Sequence, residues 1–96
     1  MFVSVGFGNY VNTDQIISIC RADSSPMKRM MSEARSNLSA VDATQGRKTK
    51  SVIVMMGGQL VLSALLPETI AARCNNSSAR DPEKDDEADD GEESDE

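Results

Sequence analysis

The chain has 96 residues, with 16 Asp and Glu against 10 Lys and Arg and a net charge of −6. That length suits one small domain, and the acidic balance taken whole argues against a polyanionic partner. There is no His at all, which removes the commonest general base and the commonest metal ligand together.

FVSVGF, residues 2–7, alternates apolar and polar and predicts a strand, with Gly6 and Gly8 marking a bulge or a close backbone approach. A short extended piece at Asn9–Val11, a turn through Asn12–Asp14 and a second strand at Gln15–Cys20 follow. Ser24-Ser25-Pro26 then opens a helix, with Ser25 as the cap and Pro26 at the first helical position. Met27, Met30, Met31, Ala34 and Leu38 share one stripe at helical spacing, so the helix is amphipathic and runs to about Leu38. Lys28, Arg29, Ser32, Arg35 and Ser36 occupy its opposite face. SVIVMM at 51–56, Gly57-Gly58 and QLVLSAL at 59–65 predict a hairpin with a two-residue turn. Pro67-Glu68 starts a short helix, with Glu68 at the positive end of its dipole and Asn75 and Asn76 able to end it.

The charge is not spread evenly. Residues 1–80 carry nine Lys and Arg and five Asp and Glu, a net +4, whereas 81–96 carry eleven acids and one Lys, a net −10. A mildly basic folded part, residues 1–76, therefore precedes an acidic tail, residues 77–96, too poor in apolar side chains to fold and expected to be disordered. The tail has two open readings. It can compete with a polyanion for the chain's own basic surface, or it can act through net charge to keep an assembly in solution. Its carboxylates do not fit a calcium loop: with Gly91 at the sixth position the third is Ala88, and the chain ends before the twelfth. The N-terminal stretch has no basic start and no long apolar core, so no signal peptide is expected. No apolar run approaches the ~18 residues of a membrane span. Cys20 and Cys74 form neither a CxxC pair nor a disulfide framework; Cys20 reads as a small core residue, Cys74 as a free thiol at a helix end. Two unpaired cysteines suit a reducing cytoplasm.

Catalytic equipment is sparse. Neither cysteine has a His partner, Asp14, Asp23 and Asp42 sit beside turn formers, and neither GFG nor GRKTK completes a phosphate-binding glycine motif. No enzyme activity, cofactor, metal or small-molecule substrate is expected. What remains is DATQGRKTK, residues 42–50, which places Arg47, Lys48 and Lys50 behind a glycine on one turn. Cations, small polar side chains and backbone N–H groups together suit phosphate contact. Arg47, Lys48 and Lys50 are thus the candidate DNA-binding residues, with Lys28, Arg29 and Arg35 of the helix as secondary candidates. Tyr10 stands alone, so base stacking is not expected and duplex backbone is the predicted target.

The fold class is α+β: a small, mostly antiparallel sheet with one amphipathic helix and a short C-terminal helix. The 51–56 and 60–65 strands are apolar on both faces, and so short a domain has little core of its own. Homo-oligomerisation through Phe2, Val3, Phe7 and Leu60 is the expected remedy, and a head-to-tail contact must close into a ring or extend into a filament.

The runs VGFGNYV, IISI, SSPMKRM, DATQGRKTKSVIVM and LVLSALLPETIAAR, taken in this order, resemble the RemA family, bacterial proteins similar to extracellular matrix regulatory protein A. The resemblance covers residues 2–74 and leaves out the acidic tail. It implies a cytoplasmic, nucleoid-associated transcription regulator of biofilm matrix genes that binds double-stranded DNA. It also implies a homo-oligomeric ring of about seven or eight subunits. The family's adjacent cation pair falls on Arg47 and Lys48. Its usual block is G-R-R-T-R, so Lys48 and Lys50 depart from it, exchanging a bidentate fork for a point charge. Gln15 stands where some members carry Arg. The runner-up function is an oligomeric adaptor whose basic loop meets an acidic protein surface, without DNA binding.

Overall fold

The structure, a computed structural model, describes residues 1–76, so the expected acidic tail at 77–96 lies outside the described residues. β1 (Phe2–Gly6) and β2 (Asn9–Asn12) pair as an antiparallel hairpin with the anticipated bulge between Ser4 and Gly6. A 3-10 turn, Thr13–Gln15, is capped by Asn12, whose Oδ1 accepts from the Asp14 N–H at 3.0 Å. It leads into β3 (Ile16–Arg21).

α1 (Ser25–Ser36) begins one residue before the predicted place. The Lys28 N–H bonds the Ser24 carbonyl at 2.9 Å, closing the first helical ring there. Ser24, not Ser25, is therefore the cap, and its Oγ accepts from the Met27 N–H at 3.3 Å. The helix also stops two residues short of Leu38. Ser39 N–H reaches the Ala34 carbonyl at 2.8 Å and Leu38 N–H the Arg35 carbonyl at 3.3 Å, the paired bonds of a Schellman ending. Such an ending needs a left-handed residue, and here that residue is Leu38, with φ 59°. Its side chain is 91% exposed, so it leaves the apolar stripe that Met31 and Ala34 bury.

Three elements complete the sheet. β4 (Ala40–Asp42) was not foreseen; it is three residues long and pairs parallel to β6 (Leu60–Ser63). β5 (Ser51–Met55) pairs antiparallel with both β3 and β6, giving the order β3-β5-β6-β4. The β5–β6 connection is longer than the predicted Gly57-Gly58 pair. Met55 N–H bonds the Gln59 carbonyl at 2.9 Å and Gly58 N–H the Met55 carbonyl at 3.0 Å, so Met56–Gln59 lie between the strands. α2 (Pro67–Asn76) follows, with Glu68 in its first turn as expected.

The sheet is covered on both sides. The β1–β2 hairpin and α2 lie on one face, where Val3, Val5, Val11, Ile53, Val61, Leu65 and Ile70 form one core. α1 lies on the other, where Ala22, Met31, Ala34, Val52, Leu60 and Leu62 form a second. Successive residues of β5 and β6 feed opposite cores, which explains why 52–55 and 60–62 are apolar without alternation. The expectation that subunit association must cover a bare sheet face is thereby corrected. Val3 and Leu60, named above as interface residues, are buried within the chain itself. Phe2 stays 67% exposed. Cys20 is half-buried rather than a core residue, and Cys74 packs against the hairpin-side core, where burial pushes its thiol pKa up.

Candidate nucleic-acid interface

The basic loop is built by the end of β4. Ala43 N–H continues the ladder onto the Leu62 carbonyl at 2.9 Å, and the chain then leaves the sheet. Asp42 Oδ1 accepts from the Thr44 N–H at 3.0 Å and from the Thr44 hydroxyl at 2.6 Å. These two bonds, the hydroxyl's first, hold the Asp42 carboxyl below its ordinary pKa, with a smaller contribution from Arg35. Thr44 is buried, so the loop departs from a fixed point. Arg47 N–H then bonds the Thr44 carbonyl at 3.0 Å across Gln45 and Gly46, whose φ values are 55° and 80°. Two positive φ values inside a four-residue turn are the type I′ pattern, and Gly46 supplies one of them without strain.

The turn sends the three predicted cations to different places. Arg47 and Lys48 are exposed. Lys50 is only 9% exposed. Its backbone is already part of the sheet, with its N–H on the Ser63 carbonyl at 2.9 Å and its carbonyl accepting from Ala22 N–H at 3.2 Å. A residue so flanked by strands on both sides has little freedom to swing outward. Its side chain lines a cleft of about 280 Å³ together with Arg21, Lys48, Thr49 and the start of α2. Arg21 is itself exposed and pairs with Asp23 at 2.8 Å, which holds that carboxyl below its usual range.

The secondary candidates Lys28, Arg29 and Arg35 all lie on the solvent side of α1. Lys28 is near enough to Asp23 to lower its pKa slightly, and so flanks the cleft that Lys48 lines. Gln15 lies away from the basic loop. Its carbonyl accepts from Met56 N–H at 2.7 Å, beyond the opposite end of β5 from Lys50. Five strand residues separate the two ends, roughly 16 Å at ~3.3 Å per residue.

Two residues have contacts that the sequence alone did not reveal. Arg73, one of the nine cations counted in residues 1–80, is 1% exposed and donates from Nη1 to the Ser4 carbonyl at 3.4 Å. It ties α2 to β1. Phe7, named above among the expected interface residues, lies beneath Arg47, whose guanidinium carbon is 5.1 Å from the ring centroid. The glycines on either side of Phe7 were the available signal, since GFG bends the chain sharply and displays what stands between them.

Among the described residues, no group of three His, Cys, Asp or Glu side chains could hold a metal ion. No helix there is long and apolar enough to cross a membrane.

Comparison with known proteins adds the following. The family model for proteins similar to extracellular matrix regulatory protein A matches residues 2–74. A protein of Lachnoclostridium phytofermentans is 58% identical over 73 residues, 76% of this chain and 80% of its own length. One from Dictyoglomus thermophilum is 52% identical over 71 residues, covering 74% and 84%. One from Bacillus cytotoxicus is 51% identical over 75 residues, covering 78% and 86%. Each carries the name "Putative regulatory protein". With nearly the whole described chain matched and identity above half, the protein belongs to the RemA-like family.

Proposed function

We propose that the protein is a regulatory DNA-binding protein of the bacterial cytoplasm. It assembles into a closed homo-oligomeric ring and contacts duplex phosphates through the 42–50 loop of each subunit, with genes of the extracellular matrix among its targets. One observation carries the reading: Arg47, the last residue of a type I′ turn anchored by buried Thr44, and Lys48 directly after it both stand exposed. An anchored turn loses little conformational entropy when its cations meet phosphate. Repetition around a ring multiplies each contact. The relatives' names and the family's name support regulation as the role. Lys50 adds positive charge to the adjoining cleft, where Arg21 is paired with Asp23. The secondary cations Lys28, Arg29 and Arg35 extend the positive surface along α1.

Within the proposed ring, the exposed apolar side chains are the candidate contacts. Phe2, Tyr10 and Ile17 are exposed on β1, β2 and β3, while Met30, Leu38 and Val41 are exposed on α1, its C-terminal turn and β4. Two different patches suit a head-to-tail contact. The test is light scattering of the full chain with and without a random-sequence duplex. A closed assembly of fixed mass that takes up DNA at low salt is the expected result. A species that stays monomeric at micromolar concentration, or that ignores duplex DNA at low salt, contradicts the proposal.

A further inference from the structure

We infer that Phe7 is the positioning residue of the DNA contact, holding the Arg47 guanidinium on its ring so that the in-plane N–H donors face phosphate. This rests on the DNA-binding reading above and names a residue of that site which is neither basic nor polar.

Two turns, 40 residues apart in sequence, converge on one contact. The β1–β2 turn is Gly6-Phe7-Gly8, with φ values of 104°, 54° and 78°. All three residues are left-handed. Glycine adopts such a conformation readily, whereas a bulky side chain rarely does. Phe7 is therefore the costly residue of this turn, and it is only half-buried, so burial alone does not account for it. The second turn carries Gln45 and Gly46, also left-handed, and delivers Arg47. Together they set the Arg47 guanidinium carbon 5.1 Å from the Phe7 centroid, within the range of a cation–π contact.

The chemistry favours arginine at this place. A guanidinium is flat and weakly hydrated, so it rests on an aromatic face while its edge still offers paired donors to a phosphate. An ammonium presents no such edge. Within the block GRKTK, Arg47 is the single arginine, and it is the cation set over the ring; Lys48 and Lys50 are not so placed. A ring beneath the guanidinium narrows its orientations before DNA arrives.

The test uses full-length protein and a fluorescent random-sequence duplex at low salt, followed by anisotropy. Phe7→Leu is expected to weaken binding about 3- to 10-fold, the range of a partly exposed cation–π contact. Phe7→Tyr keeps the ring and should stay within about twofold of wild type by the same argument. Phe7→Gly suits the left-handed backbone, so its turn is preserved. It should bind as weakly as Phe7→Leu even where its Tm does not fall. In an Arg47→Ala background, Phe7→Leu should weaken binding no further, because the ring acts through the arginine. Wild-type affinity in Phe7→Leu, an undiminished effect in the Arg47→Ala background, or a loss that only follows Tm across the variants overturns the inference. If wild type itself does not bind the duplex, the DNA-binding reading fails and this inference with it. If wild type binds and Phe7→Leu is neutral, only the inference fails.

Discussion

The two faces of the central sheet are covered by different means. α1 covers one face as a single continuous segment, with Met31 and Ala34 buried and Met27 half-buried against Val52, Leu60 and Leu62. The other face is closed by pieces from opposite ends of the chain, the β1–β2 hairpin and α2. Specific polar bonds tie the hairpin to the sheet and to α2. Ser63 Oγ donates to the Val5 carbonyl at 2.9 Å across 58 residues, and Arg73 donates to the Ser4 carbonyl across 69. A face covered by one helix depends on apolar area, which is forgiving of local change. A face assembled from distant segments depends on buried hydrogen bonds, where losing one partner leaves the other unsatisfied. The Gly6-Phe7-Gly8 turn belongs to the second kind of face, so the geometry of the proposed DNA contact rests on the seam between hairpin and α2.

The contrast is most easily broken at Arg73. Arg73→Ala removes a buried side chain and the donor to Ser4, and should cost about 3 kcal/mol in urea denaturation. Met31→Ala, on the α1 side, should cost about 2 kcal/mol, because its site lies near the edge of the core and can partly collapse. A larger loss at Met31 than at Arg73 would reverse the comparison. Ser63→Ala sharpens it. The hydroxyl also accepts from the Leu65 N–H at 3.0 Å, so its loss strands a buried donor and a buried acceptor. A destabilisation of about 1–2 kcal/mol is expected, with Arg47 contact to Phe7, read by ring-current shifts, loosened as the hairpin shifts.

Leu38 gives a smaller effect of opposite sign. It occupies the left-handed position after α1 where glycine is favoured. Leu38→Gly should raise subunit stability by about 0.5–1 kcal/mol. If the exposed side chain serves the proposed ring, the same change should lower the assembled fraction in light scattering. A variant that gains stability and keeps its mass would remove Leu38 from the contact.

The smallest effect is that of pH on the basic loop. The folded Asp42 carboxyl is held below its ordinary pKa by Thr44. Its contribution is therefore present above the unfolded value of about 3.9 and is lost as pH falls through the folded value. At neutral pH the loop is insensitive to small pH changes, and only strong acid should loosen it. Asp42→Asn, which keeps an oxygen acceptor, should flatten the acid limb of a stability–pH curve with little change at pH 7. A change in stability between pH 6 and 8 in wild type that Asp42→Asn abolishes would contradict this account.

The α1 side was legible because its information is local. A stripe of Met and Ala at helical spacing and a Ser-Pro start are sufficient, although Ser24 and Ser25 compete for the cap and only the ring-closing bond decides between them. The β5 and β6 strands were legible as apolar runs, but not their two-sided burial, which requires knowing that the first residues return to cover the sheet. β4 was missed because three residues carry no periodicity and gain their strand geometry from β6. The charges of the loop were visible, yet their fates were not. Lys50 is drawn into the ladder by β3 and β6, and Arg73 is buried by a partner lying near the other terminus. The contact of Phe7 with Arg47 was not legible, because an aromatic between glycines gains that partner only from what the second turn lays across it.

The account's central claim is that Arg47 and Lys48 meet duplex phosphates. It is tested most directly by the salt dependence of binding to random duplex for wild type and for the Arg47→Ala, Lys48→Ala double variant, with assembly state checked in parallel. Wild type should give a linear fall of log K with log salt, at a slope of about −0.9 per phosphate neutralised. The double variant should bind more weakly and with a shallower slope while its mass is unchanged. Equal affinity and equal slope for the two proteins, in the same assembly state, would place the DNA contact elsewhere.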